Sequence, residues 1–212
     1  MVDLSGTRGA WEGHLVPGRH GAREGPAGVT LTPLDDVDLA IVIARRGGAA
    51  ETAARLQARY GLALPAGPCR ATGGGMALAG IGPGQWLASR RGGPGLADEL
   101  AVVLAGCASV SEQSDGRAIL RIEGPGARTA LVKSVPVDLH PAVFKTGDVA
   151  VTVMALVGAI LWRADETTYA IAVPRSMAGD IAHGLMLDAG EFGVVVGEEA
   201  RRTSILKGIE AF

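Results

Sequence analysis

Hydrophobic positions along this chain recur at two periods, and the changes from one to the other mark its elements. Val29, Leu31 and Pro33 open an alternating segment, and Val37, Leu39, Ile41 and Ile43 continue it on one face, which predicts a pair of strands. Ala49, Ala53, Leu56 and Tyr60 then recur at helical spacing, with Gly61 where a helix stop belongs. After the Pro65-Ala66-Gly67-Pro68 turn, Met76 to Ile81 and Gln85 to Arg90 read as short strands separated by Gly82-Pro83-Gly84. Leu96, Leu100, Val103 and Leu104 form the next helical stripe, ending at Gly106. This stretch therefore reads as strand, strand, helix, strand, strand, helix.

The remainder runs in a similar order. Ser109 to Ser111 predicts a short strand, and Arg117 to Ile122 alternates Ala118, Leu120 and Ile122 against Arg117, Ile119 and Arg121. A helix starts near Gly126, carries Ala127, Leu131, Ser134 and Val135 on one side, and has to stop before Pro136. Val149, Val151 and Val153, then Ala159 to Trp162, then Thr168 to Val173 mark three strands, the last two joined by the turn Asp165-Glu166-Thr167. A long helix from Met177 to Ala189 follows, with Ser176 as N-cap, Asp180 near its positive end, and Met177, Ile181 and Leu185 as its stripe. Val194 to Val196 reads as a strand, and Thr203 to Phe212 as a segment that closes against a neighbour.

The expected class is α+β with antiparallel sheets, in two similar halves at residues 28–107 and 108–212. The repeated order, and the echo of Gly82-Pro83-Gly84 in Gly124-Pro125-Gly126, suggest an internal duplication. Residues 1–27 are rich in Gly, Arg and His and lack apolar periodicity, so they read as an irregular arm that, if ordered, lies on a partner rather than in this chain's own core.

Composition narrows the classes of function. With 48% hydrophobic and 20% charged residues, the chain has the makeup of a folding globular protein. Its 32 glycines against 4% aromatics imply many short elements and sharp corners. A net charge of -2 provides no positive field for nucleic acid. The longest apolar candidate for a membrane span, Val149 to Ile160, falls well short of the ~20 residues required. The N-terminus shows no basic region followed by an apolar run, so a cytoplasmic location is expected. Cys69 and Cys107 lack metal or redox spacing and read as two reduced, buried thiols.

Reactive constellations are hard to find. Thr72-Gly73-Gly74-Gly75 offers a run of backbone amides, but it enters a strand and lacks both the Lys of a Walker loop and the third glycine of a Rossmann turn, so it reads as a plain turn. None of His14, His20, His140 and His183 stands in a nucleophile–base pattern. His183 flanks the last long helix, where a hydrogen bond at the helix flank is expected, and His140 is presented by the rigid turn Pro136 to Pro141. Asp115 and Arg117 are expected to pair across a tight turn, and Trp86 and Trp162 to serve as core or interface residues. No residue is assigned a catalytic, cofactor-binding or metal-ligating role.

The stretch Ser114-Asp115-Gly116-Arg117-Ala118, continuing through Ile119 to Gly124-Pro125-Gly126-Ala127-Arg128, and the turn Asp138-Leu139-His140-Pro141 resemble the gamma subunit family of bacterial heterotetrameric sarcosine oxidase. Gly82-Pro83-Gly84-Gln85-Trp86-Leu87 is similar to that family's G-P-x-x-W-L, and Val173-Pro174-Arg175-Ser176 to its V-x-R-S. Together these patterns span about Val29 to Gly193 in the family's order. The resemblance implies a fold related to the folate-binding domain of the glycine-cleavage aminomethyltransferase. It also implies a non-catalytic subunit that assembles with alpha, beta and delta subunits, the beta and alpha chains holding the flavins (FAD and FMN) and NAD, alpha the tetrahydrofolate domain, and delta the zinc. The complex would oxidatively demethylate sarcosine or a similar N-methyl amino acid. The alternative is a stand-alone folate-binding or one-carbon-handling protein of the YgfZ/aminomethyltransferase type. YgfZ proteins carry K-G-C-[FY]-x-G-Q-E, whereas Ile209 follows Lys207-Gly208 here, and the aminomethyltransferase pattern D-x-S is altered, with Glu112 in the acidic position ahead of Ser114.

Overall fold

A computed structural model of the chain describes residues 9–197. Its strands are β1 (Gly18–His20), β2 (Val29–Leu34), β3 (Val37–Ala44), β4 (Arg70–Gly73), β5 (Met76–Gly82), β6 (Gln85–Arg91), β7 (Ala108–Glu112), β8 (Arg117–Glu123), β9 (Val149–Met154), β10 (Val157–Arg163), β11 (Thr168–Pro174) and β12 (Val194–Val196). Its α-helices are α1 (Ala49–Tyr60), α2 (Leu96–Val103), α3 (Ala127–Leu131) and α4 (Ala178–Ala189). The α+β class expected from the sequence is the class observed.

Two sheets form, one of seven strands in the order β1-β12-β2-β8-β11-β10-β9 and one of five in the order β4-β5-β6-β3-β7. Every pairing is antiparallel except that of β12 with β2. Read from the far edge, β9-β10-β11-β8-β2 repeats the order β4-β5-β6-β3-β7, each strand matched to its counterpart in the other half. The first strand of each half is exchanged. β2 pairs with β8 of the second half, and β7 pairs with β3 of the first. The two sheets therefore share one strand order, and each takes one strand from the other side of residue 107. The tripeptide echo is a coincidence, because Gly82-Pro83-Gly84 turns β5 into β6 while Gly124-Pro125-Gly126 leads from β8 into α3.

Strand alternation divides the apolar residues among layers. In β3, Leu39 and Ile41 face the other sheet while Ala40 and Val42 face α1 and α2. In β8, Ile119 faces inward between the sheets while Ala118, Leu120 and Ile122 meet the helices α3 and α4. Helices thus cover the outer face of each sheet, and the inner faces meet in a third cluster of Leu34, Leu39, Leu87, Ile119, Ile160 and Trp162 with small Ala79, Ala170 and Ala172. Burial on both faces explains why these strands read as nearly continuous hydrophobic runs.

Local chemistry sets the helix ends. Gly61 stops α1 at φ 64°, its N–H donating to Gln57 O at 2.9 Å. The start of α4 differs from expectation, since Arg175–Met177 form one turn of 3-10 helix, Met177 takes the N-cap position, and Ser176 makes no capping bond. The buried stripe of α4 is Ala178, Ile181, Ala182, Leu185 and Ala189.

The N-terminal stretch also departs from the reading as an arm. From Gly9 onward it packs on its own chain: Trp11 is only 1% exposed, Leu15 joins the same core, and Trp11 Nε1 donates to Ile119 O at 2.9 Å. β1 then pairs with β12. Two apolar residues one turn apart among Gly, Arg and His produce no period, so burial here left no pattern in the sequence. The segment Thr203 to Phe212 lies outside the described residues, as do Lys207, Gly208 and Ile209.

Candidate functional site

An open groove of about 830 Å³ lies where the N-terminal turn meets the start of β8 and the end of β11. Glu12, His14, Asp115, Gly116, Arg175 and Ser176 line it. Its floor is backbone: Arg175 N donates to Gly116 O at 3.1 Å, extending the β8–β11 ladder by one bond. Behind it, the Asp35 carboxylate accepts from Ala10 N–H, and burial raises its pKa above the ordinary aspartate value against the pull of Arg175. Gly9 lies close enough to this carboxylate that a side chain there would collide with it. The groove brings both charge signs together, Glu12 and Asp115 with Arg175.

The second place to look for a ligand is between the sheets. The gap bordered by Val37, Ser89, Arg90, Arg91, Ile119 and Trp162 holds about 10 Å³, roughly the minimum for one water molecule. A pterin-sized group does not fit there. Trp162 fills the space, with the Arg70 guanidinium 5.4 Å from its ring and burial drawing the Arg70 pKa down to about 10.

The residues singled out from the sequence are mostly engaged in architecture. His140 is exposed and starts a turn, its N–H donating to Asp138 Oδ1 at 2.9 Å and its own Nδ1 accepting from Ala142 N at 3.3 Å. His183 is exposed on α4. Asp115 and Arg117 do not pair: Asp115 opens into the groove, while Arg117 is half-buried, which lowers its pKa. Cys69 is exposed at a bridge to Asp148, contrary to the expectation of two buried thiols, whereas Cys107 is buried with Sγ 3.3 Å from Leu104 O. The turn expected over Thr72 to Gly75 is confined to Gly74-Gly75, because Thr72 and Gly73 pair with Ala77 and Met76 as the end of β4. Trp86 is core, donating to Pro65 O at 2.8 Å. Among the described residues no three His, Cys, Asp or Glu side chains assemble in a way that could hold a metal ion. No described helix is long and apolar enough to cross a membrane.

Three structural residues escaped sequence reading. Asp38 is buried and accepts from Leu96 N, the first residue of α2, at 2.7 Å and from Ser114 Oγ at 2.8 Å. Arg163 is 6% exposed and donates to the carbonyls of Phe144, Asp165 and Glu166, tying two loops to the end of β10. Asp35 carried no signal at all. An acidic residue inside an apolar strand, as at Asp38, was the one clue available.

A model of the "Sarcosine oxidase, gamma subunit family" matches residues 46–190. A sarcosine oxidase subunit gamma from Corynebacterium sp. (strain U-96) is 30% identical over 196 residues, 91% of this chain and 95% of that protein. This chain belongs to the sarcosine oxidase gamma subunit family. Among solved structures, the heterotetrameric sarcosine oxidase from Corynebacterium sp. U-96, in complex with pyrrole 2-carboxylate, matches with a TM-score of 0.72 at 29% identity, covering 87% of this chain and 91% of that one. The glycine cleavage system aminomethyltransferase T of Bartonella henselae shares the fold, with a TM-score of 0.57 at 19% identity over 81% of this chain and 48% of that one. The residues first matched to the gamma family lie at joints of the fold: Ser114 on Asp38, Gly116 on Arg175, and the Asp138–His140 turn.

Proposed function

We propose that this chain is the non-catalytic assembly subunit of a heterotetrameric sarcosine oxidase. Alpha, beta and delta companions would hold FAD, FMN, NAD, tetrahydrofolate and zinc, and oxidise sarcosine or a similar N-methyl amino acid to glycine and a one-carbon unit. The observation that carries this reading is the use of the family-pattern residues. They join strands, turns and helix starts, while the space where the sheets face each other is packed with Trp162, Leu87 and Ile119. Such a chain contributes a rigid body with surfaces, and its value lies in what those surfaces hold. A cytoplasmic complex is the expected setting.

The test has two parts. The purified chain alone is expected to turn over no sarcosine and to give no saturable heat on titration with tetrahydrofolate; micromolar folate binding would favour a free-standing one-carbon protein instead. Recovery of the tagged chain from its native host is expected to bring down a covalently flavinylated beta chain, and its absence would count against assembly.

A further inference from the structure

An open strand edge can accept another strand, and among the described residues most edges of these two sheets are closed or short. β4 and β9 close on each other, Arg70 N donating to Gly147 O at 2.7 Å and Val149 N to Pro68 O at 2.8 Å. β1, at the far side of the larger sheet, is three residues long. β7 differs: it pairs with β3 along one side, and no described strand lies on the other. Its register is unbroken, and Ala108-Ser109-Val110-Ser111-Glu112 contains no Lys, Pro or bulge to guard the edge.

The bonds to β3 show what this edge offers. Arg45 N donates to Cys107 O and Gln113 N to Leu39 O, both at 2.9 Å, so the odd-numbered residues bond to β3. Strand alternation then turns the N–H and C=O of Val110 and Glu112, and the C=O of Ala108, outward. Above the edge runs α2, which packs on both β7 and β3. Leu96, Leu100 and Leu104 face the sheet, and Glu99 on one flank reaches Arg90 and Tyr60. The opposite flank, over the β7 edge, carries Ala101, with Val102 above it and Ala105 in the turn that follows. All three are exposed, Val102 at 78%. Solvent-facing helix flanks are ordinarily polar, and this one is small and apolar.

A second copy of the same surface is its complement. Antiparallel pairing about Val110 sets Ala108 opposite Glu112, Ser109 opposite Ser111, and Val110 opposite its counterpart. The two Val110 residues then exchange backbone bonds, and each Glu112 N–H meets an Ala108 carbonyl. Exposed Arg45 and Arg46 stand beside the start of β7 and Glu112 at its end, so the acidic end of one copy meets the basic end of the other. The two Glu112 carboxylates are kept apart. With strands ~4.8 Å apart, α2 lies ~5 Å from the two-fold axis, which brings the two α2 helices to ~10 Å, within ordinary helix-packing range. Ala101 and Ala105 leave room for that approach.

We infer that the β7 edge and the flank of Ala101, Val102 and Ala105 form a self-complementary surface through which two copies of this chain pair about a two-fold axis, joining their five-stranded sheets into one. The inference concerns the chain by itself and does not rest on the assembly reading.

Sedimentation equilibrium of the full chain, purified free of companions, tests it, and a dimer is expected. Val110→Pro removes an outward N–H and leaves the bonds to β3 in place, and Ala101→Glu sets two acidic side chains against each other from an exposed helix position. Both variants are expected to keep the wild-type circular dichroism spectrum and to raise the dissociation constant at least about tenfold. A dimer that persists unweakened in both folded variants overturns the surface. A wild-type chain that stays monomeric overturns the pairing, and if the same substitutions then abolish capture of companion subunits, the surface belongs to one of those instead.

Discussion

Ser114 and Asp38, 76 positions apart, meet through a 2.8 Å hydrogen bond from Ser114 Oγ to Asp38 Oδ1. The same hydroxyl accepts from Leu39 N at 2.9 Å, and the other carboxylate oxygen accepts from Leu96 N at 2.7 Å. One buried carboxylate thus joins the β7–β8 turn, the strand β3 and the start of α2. Ser114→Ala leaves Leu39 N–H and Asp38 each short of a partner, with an expected loss of ~1–3 kcal/mol. Urea denaturation of the purified chain measures it. Asp38→Asn is expected to cost less than Asp38→Ala, because the amide oxygen still accepts from Leu96 N–H.

Trp11 makes the N-terminal turn part of the core, so its removal should be felt by the whole larger sheet. Trp11→Ala is expected to destabilise by ~3–5 kcal/mol, the range for loss of a large buried aromatic. Trp11→Phe keeps most of the volume but removes the donor to Ile119 O, and about 1–3 kcal/mol is expected to go with it. Thermal unfolding of both variants distinguishes the packing contribution from the hydrogen bond. Equal melting temperatures for wild type and Trp11→Ala would show that the turn does not hold the sheet.

What the sequence disclosed and what it hid follow from how each residue is buried. The helices α1, α2 and α4 and most strands were legible because period and burial coincide over many residues, as with Leu56, Leu100 and Leu185. β4 escaped because Arg70 to Gly73 shows no apolar alternation of its own, although it pairs along its length with Met76 to Ala79 of β5. The exchange of β2 and β7 between sheets left no trace, since a strand's pattern records that it is buried and not which neighbour buries it. The groove residues Asp115 and Arg175 were flagged through family likeness, whereas Asp35 and Arg163 owe their importance to backbone groups remote in sequence, which no local pattern reveals.

Glu99 joins Arg90 and Tyr60, accepting from Arg90 Nη1 at 2.5 Å and from Tyr60 Oη at 2.9 Å. The Arg90 bond and then the Tyr60 bond hold the Glu99 pKa below the usual glutamate value, so its stabilisation is present above the unfolded value near 4.5 and is lost as pH falls through the folded one. Burial, and then the bond to Glu99, push Tyr60 up to about 12. Its contribution is complete below the unfolded value of 10.0 and disappears as pH rises toward 12. Glu99→Gln is expected to flatten the acid side of the stability profile, and Tyr60→Phe the alkaline side. Both pairings are partly exposed, so the effects at neutral pH should be under ~1 kcal/mol each. Denaturation midpoints measured across pH check both signs.

The exchanged strands make the two repeats interdependent, and this can be tested by cutting the chain between them. A fragment of residues 9–107 contains β2 but lacks β8, its antiparallel partner, and lacks β7, which completes the smaller sheet beside β3. A fragment of residues 108–197 has the reciprocal deficit. Each fragment alone would expose the inner face of its sheet, including Leu39 and Leu87 or Ile119 and Trp162, and leave an edge strand unpaired. Neither is expected to show cooperative thermal unfolding by circular dichroism. Mixed in equal amounts after refolding together, they are expected to recover a single transition, because every missing strand is then supplied by the other fragment. A cooperative transition in either fragment alone would mean that each repeat closes its own sheet, and that the exchange is not required for folding.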